Sequence, residues 1–208
     1  PLYSSAASDV YKRQGIDRTI IRQYPVKMPY GYTGPRDEVI ASEGDTENVT
    51  LEDFTVIQNA TPDLRGYNGV ELRYGSHRDT VIRRVKVTDS WGAGIGVPRF
   101  TNLTVEDCVV ERVWTGIAPN GGVNGRISGC KVLGTVGDGI YPIGVDGSFI
   151  TDLVIERNTV EDAGDTAIDI TSGPNAPPHQ RITARYNKVR NGGIRISNGV
   201  DIWFTDNE

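Results

Sequence analysis

The chain has 208 residues, with 22 Lys and Arg against 27 Asp and Glu, a formal net charge of −5, 25 Gly, 11 Pro and two Cys. That length suits one domain with a sizeable core. No clustered positive charge marks a nucleic-acid partner, no apolar run reaches the roughly 20 residues of a membrane helix, and two cysteines cannot staple a disulfide scaffold.

Frequent Val, Ile and Thr beside many glycines predict short strands joined by turns. At the N-terminus, Ser4 to Gln14 (SSAASDVYKRQ) resembles translated sequencing-adapter sequence at the end of a metagenomic reading frame. On that reading residues 1–14 are an artefact outside the fold; the alternative is a disordered arm. Residues 15–38 form an irregular segment. Within it Arg18–Arg22 has strand character, and Tyr24-Pro25 to Gly34-Pro35 reads as a turn-rich loop. Val39-Ile40-Ala41 begins the repeat, which runs over residues 39–208.

From Val49 a register can be written down. One column holds Val49, Thr80, Leu103, Gly125, Leu153, Ile182 and Ile202. Two residues on stand Leu51, Ile82, Val105, Ile127, Ile155, Ala184 and Phe204. Three further on are Phe54, Val85, Cys108, Cys130, Asn158, Asn187 and Asn207. Two beyond is always valine: Val56, Val87, Val110, Val132, Val160 and Val189. A turn of variable length leads to a small residue and an aliphatic, as in Gly69-Val70, Gly94-Ile95, Gly116-Ile117, Gly139-Ile140, Ala167-Ile168 and Gly193-Ile194. Period-two alternation within each return predicts strands. Repetition at mostly 20 to 31 residues predicts a solenoid. The expected architecture is all-β: six to seven coils of three short strands, stacked about 4.8 Å apart.

This grammar resembles the right-handed parallel β-helix family, the pectate-lyase-like fold. Asn158, Asn187 and Asn207 in one turn column resemble the family's internal asparagine ladder. The chain stops at Asn207-Glu208, before the next expected valine and without a polar cap, so the repeat is expected to be truncated at its C-terminus. The resemblance implies an extracellular or cell-surface protein whose substrate lies along the outer face of one sheet.

Few residues offer chemistry. Cys108 and Cys130 stack in adjacent coils with parallel side chains, a poor bridging geometry, and read as small buried hydrophobes. His77 and His179 read as solvated loop residues. Alternation along the Gly-Ile strand turns Glu71, Gly96, Ala118, Tyr141, Asp169 and Arg195 outward, followed by Arg73, Pro98, Asn120, Ile143, Thr171 and Ser197. Asp138, Asp169 and Arg195 are the candidate catalytic residues. Paired carboxylates can protonate a leaving oxygen and activate water, while a base with a cation can remove a proton beside a uronate carboxylate. Tyr141, Asp165, Arg73 and Glu71 are candidate substrate contacts. Trp91 and Trp114 share a register six residues after the turn column, and would form a sugar-stacking platform if exposed. The run Asp162, Asp165, Asp169 offers oxygen ligands of the kind Ca²⁺ takes; no other cofactor or metal is implied. Polygalacturonase and alginate-epimerase motifs are absent. The implied function is polysaccharide cleavage, by a lyase or a glycoside hydrolase, on an extended chain that includes uronate polymers. The alternative is a non-catalytic binding or adhesive module of a surface protein or phage tail fibre.

Overall fold

The computed structural model describes residues 2–3, 20–22, 40–58, 68–73, 75–145 and 147–208. The reading of residues 1–14 as an artefact and of 24–35 as a loop falls almost wholly outside them. The described residues contain strands and no helix, wound into a solenoid of about six turns. Each strand pairs in parallel with its counterpart one coil on. The one exception among the described strands is Leu2–Tyr3, which lies antiparallel to Ala41–Ser42.

The columns written from the sequence are the observed register. Leu103 pairs with Gly125, Gly125 with Leu153, Leu153 with Ile182 and Ile182 with Ile202. Val87, Val110, Val132, Val160 and Val189 pair in succession. Ile168 pairs with Ile194, and Ile117, Ile140 and Ile168 bridge in turn. Ile20–Arg22 joins the valine sheet beside Thr55–Ile57. Ile40–Glu43 joins the Gly-Ile sheet beside Val70–Arg73.

The coil closes because it turns at residues of positive φ, and these also form columns. One contains Asn48, Asp79, Asn102, Asn124, Asp152, Arg181 and Asp201, just before the Leu103 column. A second contains Asp53, Arg84, Asp107, Gly129, Arg157, Tyr186 and Asp206, just before the asparagine column. A third contains Asp89, Arg112, Gly134, Asp162 and Asn191, just after the valines. Asn, Asp and Gly tolerate this conformation; arginine does so at a cost. Three of these arginines grip the corner aspartate one coil back with two hydrogen bonds each: Arg84 on Asp53, Arg112 on Asp89 and Arg181 on Asp152. At the first corner type the chain turns without breaking its ladder. Ala93–Glu106 and Thr115–Ser128 are therefore single continuous strands, each spanning two faces of the coil.

The interior is a stack of like side chains. Val56, Val87, Val110, Val132 and Val160 are fully buried, as are Ile95, Ile140 and Ile168. The small residue ahead of each aliphatic has a steric cause. A Cβ on Gly116 would lie 2.5 Å from Val132 Cγ1 and 2.2 Å from the Gly139 carbonyl oxygen. Glycine lets the Gly-Ile sheet approach the valine sheet.

The asparagine column is a hydrogen-bonded ladder. Asn158 Oδ1 accepts from the Cys130 N–H at 2.9 Å, and Asn158 Nδ2 donates to the Ile127 carbonyl and to Asn187 Oδ1, each at 3.0 Å. Asn187 repeats the pattern onto Ile155 and Asn207. Cys108 and Cys130 are free, buried thiols directed at the equivalent carbonyls, Ile82 at 3.6 Å and Val105 at 3.7 Å. They are hence weak donors continuing the ladder, as well as small hydrophobes.

The histidines differ from expectation, because both are fully buried. His77 Nδ1 meets the Thr46 hydroxyl at 2.9 Å. His179 Nδ1 accepts from the Ile150 N–H at 2.9 Å, and its Nε2 lies 3.0 Å from the Thr171 carbonyl. That pair of partners specifies a neutral ring protonated at Nε2. A buried ring at a coil corner satisfies backbone groups that the turn leaves unpaired.

Candidate functional site

Three successive coils bring the turn that enters the Gly-Ile strand to one place. Gly137 N–H donates to the Trp114 carbonyl at 2.8 Å, and Asp165 N–H donates to the Gly137 carbonyl at 3.2 Å. The side chains of Trp114, Asp138 and Asp165 therefore cluster at one corner. The outward positions of the strand add Tyr141, Asp169 and Arg195, with Asp169 in register with Arg195.

Arg195 is the hub. Its Nη2 lies 2.5 Å from Asp169 Oδ2, 3.5 Å from Asp165 Oδ2 and 3.9 Å from Asp138 Oδ1. Asp169 is completely buried and holds a second hydrogen bond, from the Thr171 hydroxyl to Oδ1 at 2.5 Å. Both of its oxygens are thus engaged, one by Thr171 and one by Arg195. Asp165 is the open acid, with 58% of its side chain exposed, against 12% for Asp138.

Burial pushes the Asp138 carboxyl up to about 6, helped by the negative charges of Asp169 and Asp165 and opposed by Arg195. Tyr141 is raised by burial and then by the same aspartates, so its phenol stays protonated and able to donate. The cluster couples one largely buried carboxyl, raised to about 6, with an exposed one. The two oxygens nearest Arg195 Nη2, at 3.9 and 3.5 Å, are at most about 7.4 Å apart.

The remaining expected residues fall into two groups. Trp91 and Trp114 meet edge to face, with centroids 5.3 Å apart at 65°, so they do not form a flat double platform. Trp114 is 37% exposed and presents the usable face; Trp91 is half-buried behind it. Glu71 lies on the same outward column beyond Gly96 and Ala118, three coil steps from Tyr141, or about 14 Å at the usual strand spacing. Arg73 is in that distant coil too, in the strand Val70–Arg73. The Ca²⁺ expectation fails on geometry. Asp162 is a corner residue that accepts from Asn191 Nδ2 at 2.6 Å. Among the described residues no group of three His, Cys, Asp or Glu side chains could hold a metal ion. Thr171 is the contributor sequence reasoning did not single out, although its outward register was legible. A cavity of about 310 Å³ beside Phe100 and Phe149 is lined by none of these acids.

The family model described as "Right handed beta helix region" matches residues 39–208. The chain belongs to this right-handed β-helix family. No curated protein and no solved structure matches it. Membership accounts for the solenoid, the stacked columns and the ladder.

Proposed function

We propose that this β-helix is a glycoside hydrolase acting on an extended, uncharged polysaccharide outside the cell. The observation that carries the reading is the corner geometry: the largely buried Asp138, its carboxyl raised to about 6, and the exposed Asp165 both lie within 4 Å of one Arg195 nitrogen. In this reading Asp138 donates its proton to the glycosidic oxygen as the C1–O bond breaks. Asp165 meets the opposite side of the anomeric carbon, either directly or through a water whose proton it accepts. Asp169 fixes Arg195, while burial and the negative charges of Asp169 and Asp165 favour the protonated form of Asp138. Tyr141 donates to a sugar hydroxyl, and Trp114 stacks on a ring. The outward column from Glu71 to Arg195 spans five coil steps, about 24 Å, with a low floor at Gly96 and Ala118 on which a chain can lie.

A uronate lyase fits less well. Three aspartates against one arginine leave the corner net negative, which repels a uronate carboxylate. Arg195 is already neutralised by Asp169. The alternative of a non-catalytic adhesive module draws on the same flat outer column.

The test is a panel of neutral and uronate polysaccharides, scored for new reducing ends and for unsaturated products by absorbance. Reducing ends are expected from neutral polymers only. Asp138→Asn and Asp165→Asn are each expected to lower the rate by about 10²–10⁴-fold, the worth of a positioned acid or base. Unsaturated products would make the protein a lyase. Binding without any release would make it an adhesion module.

A further inference from the structure

One cluster on a different face of the solenoid holds a local excess of positive charge. Glu156, at the end of the strand Ile150–Glu156, has a fully buried side chain and is approached by three guanidiniums. Arg126, one coil back, contacts Glu156 Oε1. Arg157 Nη1 lies 3.2 Å from the same oxygen, and Arg185, one coil on, donates from Nε to Oε2 at 2.7 Å. One guanidinium would balance this carboxylate, so the other two charges are in surplus. The arginine side chains are 51%, 62% and 43% exposed respectively. Each guanidinium has five N–H donors, and Glu156 uses few of them. Arg126 also donates from Nε to the Ser128 hydroxyl at 3.4 Å, and all three side chains remain substantially exposed on one small area.

The three cations are also held in place. Tyr186, the corner residue of the next coil, lies under two of them, with Arg157 Cζ 5.5 Å and Arg185 Cζ 5.9 Å from its ring centroid. Such contacts fix long side chains that would otherwise lose rotamer freedom on binding. Trp203, 61% exposed, is in register with Thr183 on the same outer face and offers an indole surface to a sugar ring.

We propose that the Arg126–Arg157–Arg185 corner is a docking surface for a sulfated polysaccharide. Three guanidiniums converging on one point suit an acceptor with three terminal oxygens, which a sulfate monoester has and a carboxylate or phosphodiester lacks. The surface lies away from the Asp138 corner. It would anchor the protein to a charged matrix while the other face handles a neutral chain, and it stands whether or not the protein is a hydrolase.

Affinity electrophoresis of the whole chain through gels containing dextran sulfate, dextran, polygalacturonate or duplex DNA tests it. Retardation by dextran sulfate, weakened by salt, is expected, with none by dextran. Arg126→Gln with Arg157→Asn is expected to weaken binding at least tenfold; asparagine keeps the positive-φ corner, and a thermal melt verifies folding. Glu156→Gln, which removes the central negative charge, is expected to bind at least as tightly as the parent. Equal retardation of parent and double variant would overturn the proposal. So would stronger binding to polygalacturonate or DNA than to dextran sulfate.

Discussion

Asp138 and His179 respond to pH in opposite ways. Asp138 is held protonated up to about 6, against an ordinary 3.8. A raised folded value means its contribution to stability is complete below the ordinary value and is lost as pH climbs through about 6. Asp138→Asn mimics the protonated form. It is expected to raise stability at pH 7.5 by about 1–2 kcal/mol and to change little at pH 4. Urea titrations of both proteins at the two pH values measure this. His179 is depressed below 6.5, mainly by burial, as is His77. A depressed folded value leaves stability intact above 6.5 and lost as pH falls below it, because the unfolded chain takes up the proton first. The melting temperature is expected to fall between pH 7 and pH 5. That slope should flatten in His179→Gln, which cannot be protonated but is less stable overall.

The ladder is the element on which the C-terminal coils depend. Each amide satisfies backbone groups that a buried turn would otherwise strand, and unmet buried groups cost about 1–3 kcal/mol each. Asn187→Ala removes the acceptor for the Asn158 N–H and Nδ2 and the donor to the Ile155 carbonyl. Chemical denaturation should show a loss of about 3 kcal/mol. Cys130→Ala at the same ladder position removes only weak sulfur contacts and should cost about 1 kcal/mol, mostly lost packing. Equal losses would mean that the amides add nothing to burial.

Across the whole molecule, stability is set by coil-to-coil stacking and by how closely two sheets face one another. No coil buries its apolar columns alone; each depends on its neighbours. Gly116 shows how narrow the interior is, since an added Cβ meets both a valine methyl and a backbone carbonyl within 2.5 Å. Backbone cannot yield as a side-chain tip can. Gly116→Ala is therefore expected to destabilise by about 1–3 kcal/mol. Val132→Ala, which vacates the space the added Cβ would enter, should soften the defect if combined with it, a coupling that a double-mutant cycle measures.

The sequence by itself determined the solenoid, the register of every interior column and the outward column carrying Tyr141, Asp169 and Arg195. These follow from local alternation repeated at short intervals, so they can be read without knowing what touches what. Exposure and charge coupling were not legible in this way. Asp169 and Asp165 look alike as turn and strand acids, yet one is buried under Arg195 and Thr171 and the other is open. The two tryptophans share a register, but the tilt between their rings leaves only Trp114 presented. The histidines sit in loop-like sequence but fill corners of the core. Glu156 and its three arginines come from three coils and acquire meaning only when stacking sets them side by side. Periodicity fixes which residues align; the tertiary structure decides how deep each one lies and which charges share a space, because burial and electrostatics depend on neighbours that only the wound coil supplies.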